Sequence, residues 1–249
     1  MKVARFRKHG RTHHAQVYDG QLIDEAGHAH NPDEVDYLLP FEPGKVLGLA
    51  LNYRDHAEEL SIDLPDHPVL FLKPSSALIP HKAPVMYPEG AEYMHYECEL
   101  AVVVGHSMKG VRAKDAMDCV RGYTIVNDVT VRDFVGNMYR PPIKAKGWDS
   151  FGPMGPFLVT ADEIPDPHAL ELRAFVNDEH RQTGNTHDVV FPIAEILEYV
   201  TRFMTLEPYD VILTGTPKGI SHVHPGDVMR LEIDHLGALE NPIVAEADY

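Results

Sequence analysis

Residues 95–104, His-Tyr-Glu-Cys-Glu-Leu-Ala-Val-Val-Val, constrain the fold more than any other stretch of the chain. The run Leu100–Val104 has the unbroken apolar character of a buried strand. Side chains alternate faces along a strand, so Glu97 and Glu99 point the same way. Two carboxylates side by side on a hydrophobic strand repel each other and lose hydration unless a cation holds them. An oxygen-only pair favours a hard dication such as Mg²⁺, Mn²⁺ or Ca²⁺ over zinc. The alternative reading of the same pair is an edge strand with one solvated face.

Charge and cysteine usage narrow the function classes. The 249 residues carry 22 basic and 38 acidic side chains, a net charge of −16. Such a surface repels nucleic acid and anionic membranes, so neither is an expected partner. A small dianionic substrate would then need local cations to be held. Cys98 and Cys119 are too few for a disulfide framework and lie in apolar segments, which predicts buried thiols. The basic start MKVARFRKHG lacks a following apolar stretch, and no segment reaches the roughly 18 apolar residues of a membrane span. The expected compartment is the cytoplasm. Among 16 histidines, His28/His30 and His222/His224 could share strand faces, but without zinc-type spacing they read as scattered surface residues.

Hydrophobic periodicity predicts an α+β, mostly β chain. Residues 2–6 and 14–18 alternate as strands, with Tyr18-Asp19-Gly20-Gln21 as a hairpin turn. Residues 1–44 read as a small N-terminal β subdomain, and 45–249 as the main domain. Further strands are predicted at Val46–Leu51, Val69–Lys73, Leu100–Val104, Thr124–Val126, Val211–Thr214 and Val228–Ile233, with loop or edge structure over Pro74–Pro88. A short helix is expected within Asn52–Leu60, another over Ala113–Cys119, and a turn at His235–Ala238. The strongest helical pattern is Ile193, Ile196, Leu197, Val200 and Phe203. Strands and helices do not alternate regularly, which argues against a doubly wound sheet.

Several motifs add chemistry to the carboxylate pair. Asp128, at the end of the apolar run 123–127, completes a three-carboxylate site if that run lies beside the 97–104 strand. By itself it is equally a turn residue. His56 and Glu59 are three apart, neighbours on a helical turn, so the carboxylate can orient an imidazole for acid–base work. As an isolated pattern it is a common surface pair. Lys146 sits in the aromatic and glycine-rich run Lys144-Ala-Lys146-Gly-Trp148-Asp149, where it could stabilise a developing enolate or remain solvated. Thr214-Gly-Thr-Pro-Lys-Gly219 could present backbone N–H groups to a carboxylate; it lacks P-loop spacing, so nucleotide binding is not expected.

Six elements in order resemble the fumarylacetoacetate hydrolase family over roughly residues 45–249: Asn52-Tyr53…His56…Glu59, Phe71-Leu-Lys73-Pro74, Tyr96-Glu97-Cys-Glu99-Leu100, Gly122-Tyr123…Asn127-Asp128…Arg132-Asp133, Lys146-Gly-Trp-Asp149 and Thr214-Gly-Thr-Pro-Lys-Gly219. Within the family, the runs Glu92–Glu97, Asp115–Asp118, Tyr139-Arg140-Pro141, Ile164–His168 and Phe203–Leu206 look most like the isomerase branch of homoprotocatechuate degradation. The resemblance implies a mixed β-sandwich roll, a homodimer or larger oligomer, and Mg²⁺ or Mn²⁺ on Glu97, Glu99 and Asp128. It further implies that Lys146 and Thr216 line the substrate site and that His56 and Glu59 lie on a mobile lid. Tyr53, Arg132, Tyr139 and Arg140 are the other candidate substrate contacts; Tyr139, Arg140 or Lys144 could hold a distal carboxylate, with Arg140 favoured because of its bidentate geometry. Two features depart from the family: a single domain copy where the better-known form fuses two, and Tyr209 where glycine is common.

The implied activity is isomerisation of 2-hydroxyhepta-2,4-diene-1,7-dioate, a small dicarboxylic acid of aromatic catabolism. The alternatives are decarboxylation of 5-oxopent-3-ene-1,2,5-tricarboxylate or an oxaloacetate-like 2-oxo acid, hydrolytic cleavage of an acylpyruvate or fumarylpyruvate, and a non-catalytic metal-binding scaffold.

Overall fold

The computed structural model describes residues 1–136 and 141–249. The chain begins as an antiparallel ribbon, β1 (Lys2–Lys8), β2 (Arg11–Tyr18), β3 (Gln21–Asp24) and β4 (Ala29–His30), with β5 (Asp36–Tyr37) on the other side of β1. Asp19 and Gly20, at φ 46° and 74°, form the expected two-residue hairpin turn. Ala4, Phe6, Ala15, Leu22, Val35 and Tyr37 make a small core of their own here.

The chain continues through β6 (Val46–Ala50), α1 (Arg54–Glu59), β7 (Val69–Lys73), β8 (Leu78–Ile79), β9 (Val85–Tyr87), β10 (Met94–His95), β11 (Cys98–Val104), α2 (Ala113–Ala116), β12 (Val120–Asn127) and β13 (Thr130–Val131). It ends with α3 (Ile143–Lys146), β14 (Gly152–Thr160), β15 (Glu171–Val176), β16 (Glu179–Asn185), α4 (Ile193–Phe203), β17 (Val211–Leu213), β18 (Val228–Ile233) and β19 (Gly237–Ala245). Among the described residues, twelve strands share one sheet along the path β4-β3-β2-β1-β14-β12-β11-β17-β6-β7, with β5 beside β1 and β8 beside β14. The N-terminal ribbon is therefore hydrogen-bonded to the main sheet through β1 and β14. A second sheet runs β16-β15-β18-β19-β9, and β10 pairs with β13. Most pairings are antiparallel; β6–β17, β8–β14 and β9–β19 are parallel.

β11 is buried along its whole length, flanked by β12 and β17. Leu100, Val102 and Val104 face the core shared with Leu172, Leu231 and Leu239 of the second sheet, while Ala101 and Val103 pack on Val46, Met154 and Leu213. This central position excludes the solvated edge-strand reading of Glu97 and Glu99.

α4 buries Ile193, Ile196, Leu197 and Val200 at the predicted spacing, each worth about 1.5–3 kcal/mol of apolar burial. Phe203 departs from that stripe. It lies on the last turn, is 56% exposed and meets Tyr199 edge-on. Cys98 is buried as expected, and burial pushes its thiol up, but Cys119 is only half-buried. β14, β15 and β16 go beyond the strands the sequence predicts. No described helix is long and apolar enough to cross a membrane.

Candidate active site

The antiparallel register of β11 and β12 builds the centre of the site. Cys98 pairs with Asn127, so one step further out Glu97 stands opposite Asp128, and the Asp128 N–H donates to the Glu97 carbonyl at 3.0 Å. The Glu97 N–H in turn donates to Asn127 Oδ1 at 3.0 Å. Glu97, Glu99 and Asp128 are 4%, 1% and 0% exposed, and their carboxylate oxygens converge within 4.8 Å of one another.

Cations crowd this cluster unevenly. Lys146, at the end of α3, donates from Nζ to Glu97 Oε2 at 2.8 Å, Asp128 Oδ2 at 2.5 Å and Thr130 Oγ1 at 2.8 Å. Lys73, at the end of β7, lies 2.8 Å from Asp128 Oδ1, and it also donates to the carbonyls of Lys146 and Phe151. Asp128 Oδ1 is thus held by the Lys73 ion pair, deep in the interior. Arg132 donates from its terminal nitrogen to Glu97 Oε1 at 3.2 Å and from Nε to His95 Nε2 at 2.6 Å. Because Nε2 accepts there, the proton of a neutral His95 sits on Nδ1, which faces the Tyr96 carbonyl at 3.1 Å. Burial, reinforced by Arg132 and Lys146, drops the His95 pKa to about 3 despite the Glu97 charge.

The titration directions locate the imbalance. Burial alone would raise the Glu97 carboxyl, yet Lys146, Arg132, His95 and His56 together hold it well below its usual range. Burial also works against the Lys146 ammonium, but Asp128, Glu97 and Glu99 outweigh it and raise its pKa. At Glu99, Lys146 and the Gly215 N–H act in the same direction, favouring the charged form, but are outweighed. Burial and the Asp128 and Glu97 charges push its carboxyl well above normal. Its one hydrogen bond among the described residues comes from the Gly215 N–H, at 2.7 Å from Oε2. Gly215 is at φ 91°, and a Cβ there would stand 2.9 Å from Asn52 Cβ, so glycine is what brings this N–H to the carboxylate. A buried trio of converging carboxylates, one of them undercompensated, fits an oxygen-seeking divalent cation.

The other predicted residues assemble nearby or elsewhere. His56 and Glu59 pair across one turn of α1, Nδ1 to Oε2 at 3.0 Å, with His56 buried. Glu59 Oε1 also accepts from the Gly219 N–H at 3.0 Å, tying α1 to the 214–219 loop. On that loop Thr216 is buried and its hydroxyl accepts from Gln182 Nε2 at 2.9 Å. Tyr53, just before α1, is fully buried with no hydrogen-bond partner for its hydroxyl among the described residues. Burial, with Glu99 behind it, pushes that phenol well above its ordinary pKa. Tyr139 and Arg140 lie outside the described residues.

Three contributors to the site carry no assigned role in the sequence reading: Lys73, His95 and Thr130. Lys73 closes an apolar strand, Val-Leu-Phe-Leu-Lys-Pro, which is a usable signal for a buried cation. His95 and Thr130 gain their places only through the β10–β13 pairing, His95 opposite Thr130.

A family model described as fumarylacetoacetate (FAA) hydrolase C-terminal matches residues 45–244. A 4-hydroxyphenylacetate degradation bifunctional isomerase/decarboxylase of Escherichia coli is 46% identical over 208 residues, covering 84% of this chain and 48% of that protein. The chain thus spans about half the length of that relative. A mitochondrial oxaloacetate tautomerase of Xenopus laevis is 37% identical over 231 residues, covering 89% of this chain and 72% of that one. Among solved structures, a 5-carboxymethyl-2-hydroxymuconate delta-isomerase from Mycobacterium smegmatis superposes with a TM-score of 0.88 at 36% identity, over 99% of both chains. The chain belongs to the fumarylacetoacetate hydrolase family and is an enzyme of that family.

Proposed function

We propose that the chain isomerises 2-hydroxyhepta-2,4-diene-1,7-dioate to its 2-oxo-3-ene form with the help of Mg²⁺ or Mn²⁺. The observation that carries this reading is the buried trio of Glu97, Glu99 and Asp128 with two ammonium groups against it. The trio would hold the cation, which supplies Lewis-acid polarisation of the substrate's C2 oxygen and lowers the pKa of its hydroxyl. Lys146 adds a positive charge where negative charge develops on that oxygen, in a site dry enough for the charge to count. The proton balance is simple: the C2 hydroxyl gives up its proton and C5 receives one, so the C2–C3 and C4–C5 double bonds become the C2 carbonyl and a C3–C4 double bond. His56 is the proton carrier in this scheme. Its Nδ1 is engaged by Glu59, leaving Nε2 as the ring atom for transfer.

Thr216 and Tyr53 contribute hydroxyls to the substrate side, and Arg140, with Tyr139, remains our candidate for the distal carboxylate. Arg132 is committed to Glu97 and His95, so we assign it to positioning Glu97 in addition to substrate contact. The resemblance also suggests a cytoplasmic homodimer, which sedimentation would test.

Decarboxylation, or keto–enol exchange of an oxaloacetate-like acid, is the second reading. It is favoured by the names of the two curated relatives and needs the same polarised C2 oxygen. Incubating the pure protein and Mg²⁺ with the dienedioate, the tricarboxylate, oxaloacetate and an acylpyruvate separates the cases. Ultraviolet loss of the conjugated dienol without CO₂ release or chain cleavage supports isomerisation. CO₂ release, or cleavage to two acids, replaces it by the corresponding rival, and inertness toward all four substrates overturns the proposed reaction.

A further inference from the structure

A second cluster of metal-ligating side chains lies far along the sheet path from the carboxylate trio. His13 on β2, Asp24 on β3 and His30 on β4 bring their ligand atoms within 4.8 Å of one another. Strand register explains the convergence. Phe6 pairs with His13, Ala15 with Asp24 and Leu22 with His30, and cross-strand partners share a face, so all three polar side chains stand on the face of the small N-terminal core. The sequence reads His28 and His30 as scattered surface histidines, which holds for His28 but not for His30, whose side chain is 14% exposed. The structure instead joins His30 to residues from two neighbouring strands, while the His28 side chain is 74% exposed.

We propose that His13 Nδ1, Asp24 Oδ2 and His30 Nε2 bind one divalent transition cation, Zn²⁺ in the first instance, near the free edge of the twelve-strand sheet. Both ring nitrogens address the same carboxylate oxygen, His13 at 3.3 Å and His30 at 2.9 Å. Ligands about 2.0–2.1 Å from one tetrahedral ion stand roughly 3.3 Å apart, so only small adjustments are needed to admit it. Two imidazoles and a carboxylate select zinc-like cations, whereas the all-oxygen trio selects Mg²⁺ or Mn²⁺.

The three groups are preset for this task. Asp24 Oδ1 accepts from the backbone N–H groups of Ala26 at 3.0 Å and His28 at 2.9 Å, which fixes the carboxylate plane and leaves Oδ2 for the imidazoles. Such outer contacts are what orient ligands in metal sites. The His13 ring stacks on Phe6 at 5.1 Å, and His30 meets the same ring edge-on at 5.0 Å. The side chains of Asp24, His30 and His13 are 5%, 14% and 24% exposed, which leaves a path from solvent to a fourth ligand. The net charge of −16 favours accumulation of cations at the surface. Bound metal would clip β4 to β2 and β3.

The test uses the full chain saturated with Mg²⁺, into which Zn²⁺ is titrated by calorimetry, with Co²⁺ absorption as a coordination probe. One equivalent of Zn²⁺ is expected, with a rise in Tm. Affinity should fall at least about tenfold in His13→Ala, His30→Ala and Asp24→Asn, the last preserving side-chain volume. Circular dichroism checks that each variant is folded. His222→Ala/His224→Ala, which removes another close histidine pair (ring centroids 4.0 Å apart), should bind as the parent does. The proposal falls if folded His30→Ala binds Zn²⁺ unchanged, if uptake follows Glu97 or His222 instead, or if the parent takes up none.

Discussion

Glu99, fully buried, and His81, half-buried, each show how one side chain sets a measurable pH response. In metal-free protein Glu99 is the carboxylate least compensated by cations, and its folded-state pKa is raised. A raised carboxyl stabilises the fold when protonated and ceases to do so as pH rises through the folded value. Glu99→Gln mimics the protonated form. It should therefore stabilise metal-free protein at neutral pH by about 1–2 kcal/mol in urea titrations and abolish the rise in Tm produced by Mg²⁺. A destabilised variant, or one still responding to Mg²⁺, contradicts that account of the trio. His81 works with the opposite sign. Its Nδ1 accepts from the Glu240 N–H at 2.9 Å and must be unprotonated to do so. Burial, helped by Lys82, lowers its pKa from 6.5 to about 4. The unfolded chain then takes up the proton first, so stability is lost as pH falls from about 6.5 to about 4. His81→Gln retains an acceptor without the titration. The wild-type-minus-variant difference in urea midpoint should fall across that window, and a flat difference rules His81 out as its source. Tyr209 is instructive in another way. It occupies φ 68°, the backbone region that glycine tolerates best, and its packing on Phe41 and beneath Arg121 offsets the strain.

Elements differ in how openly their residues announce them. α4 is legible because four apolar positions repeat at helical spacing and are all buried. β14 is not, since Pro153, Gly155 and Pro156 interrupt it and proline normally marks an edge. It nevertheless runs between β1 and β12, because its ladder with β12 is irregular between Tyr123 and Ile125, where Pro156 needs no regular partner. The β15–β16 hairpin is hidden for a different reason: its turn is Asn177-Asp178, without glycine, although both residues have positive φ (51° and 65°). Asn177 earns its position by bonding Asp227 and Val228. Asp178 is 93% exposed and its contact with Arg230 is a loose 3.9 Å. Asp178→Gly should stabilise the protein by roughly 0.5–1 kcal/mol, read as a rise in Tm. No gain would mean that the surface ion pair outweighs the backbone strain.

For the whole molecule, the metal reading makes turnover and architecture inseparable. The trio joins β11 and the end of β12, while Lys73 from β7 and Lys146 from α3 converge on it, so separate parts of the main sheet meet at one charge cluster. Chelation should abolish turnover, and Mg²⁺ or Mn²⁺ should restore it. Asp128→Ala should remain folded by circular dichroism yet lose at least about a hundredfold in kcat/KM even with excess metal. Wild-type turnover in that variant would detach the chemistry from the trio. The sequence alone determined the shared face of Glu97 and Glu99, the His56–Glu59 turn and the helix of α4, because each is a local spacing, whereas the burial of the carboxylate pair came from the central place of β11 between β12 and β17. Only the tertiary structure decided that Asp128 stands opposite Glu97, that Lys73 and His95 join the site, and that His13, Asp24 and His30 meet. Those contacts depend on which strands lie side by side, and strand pairing is a property of the whole sheet that no short run of residues encodes.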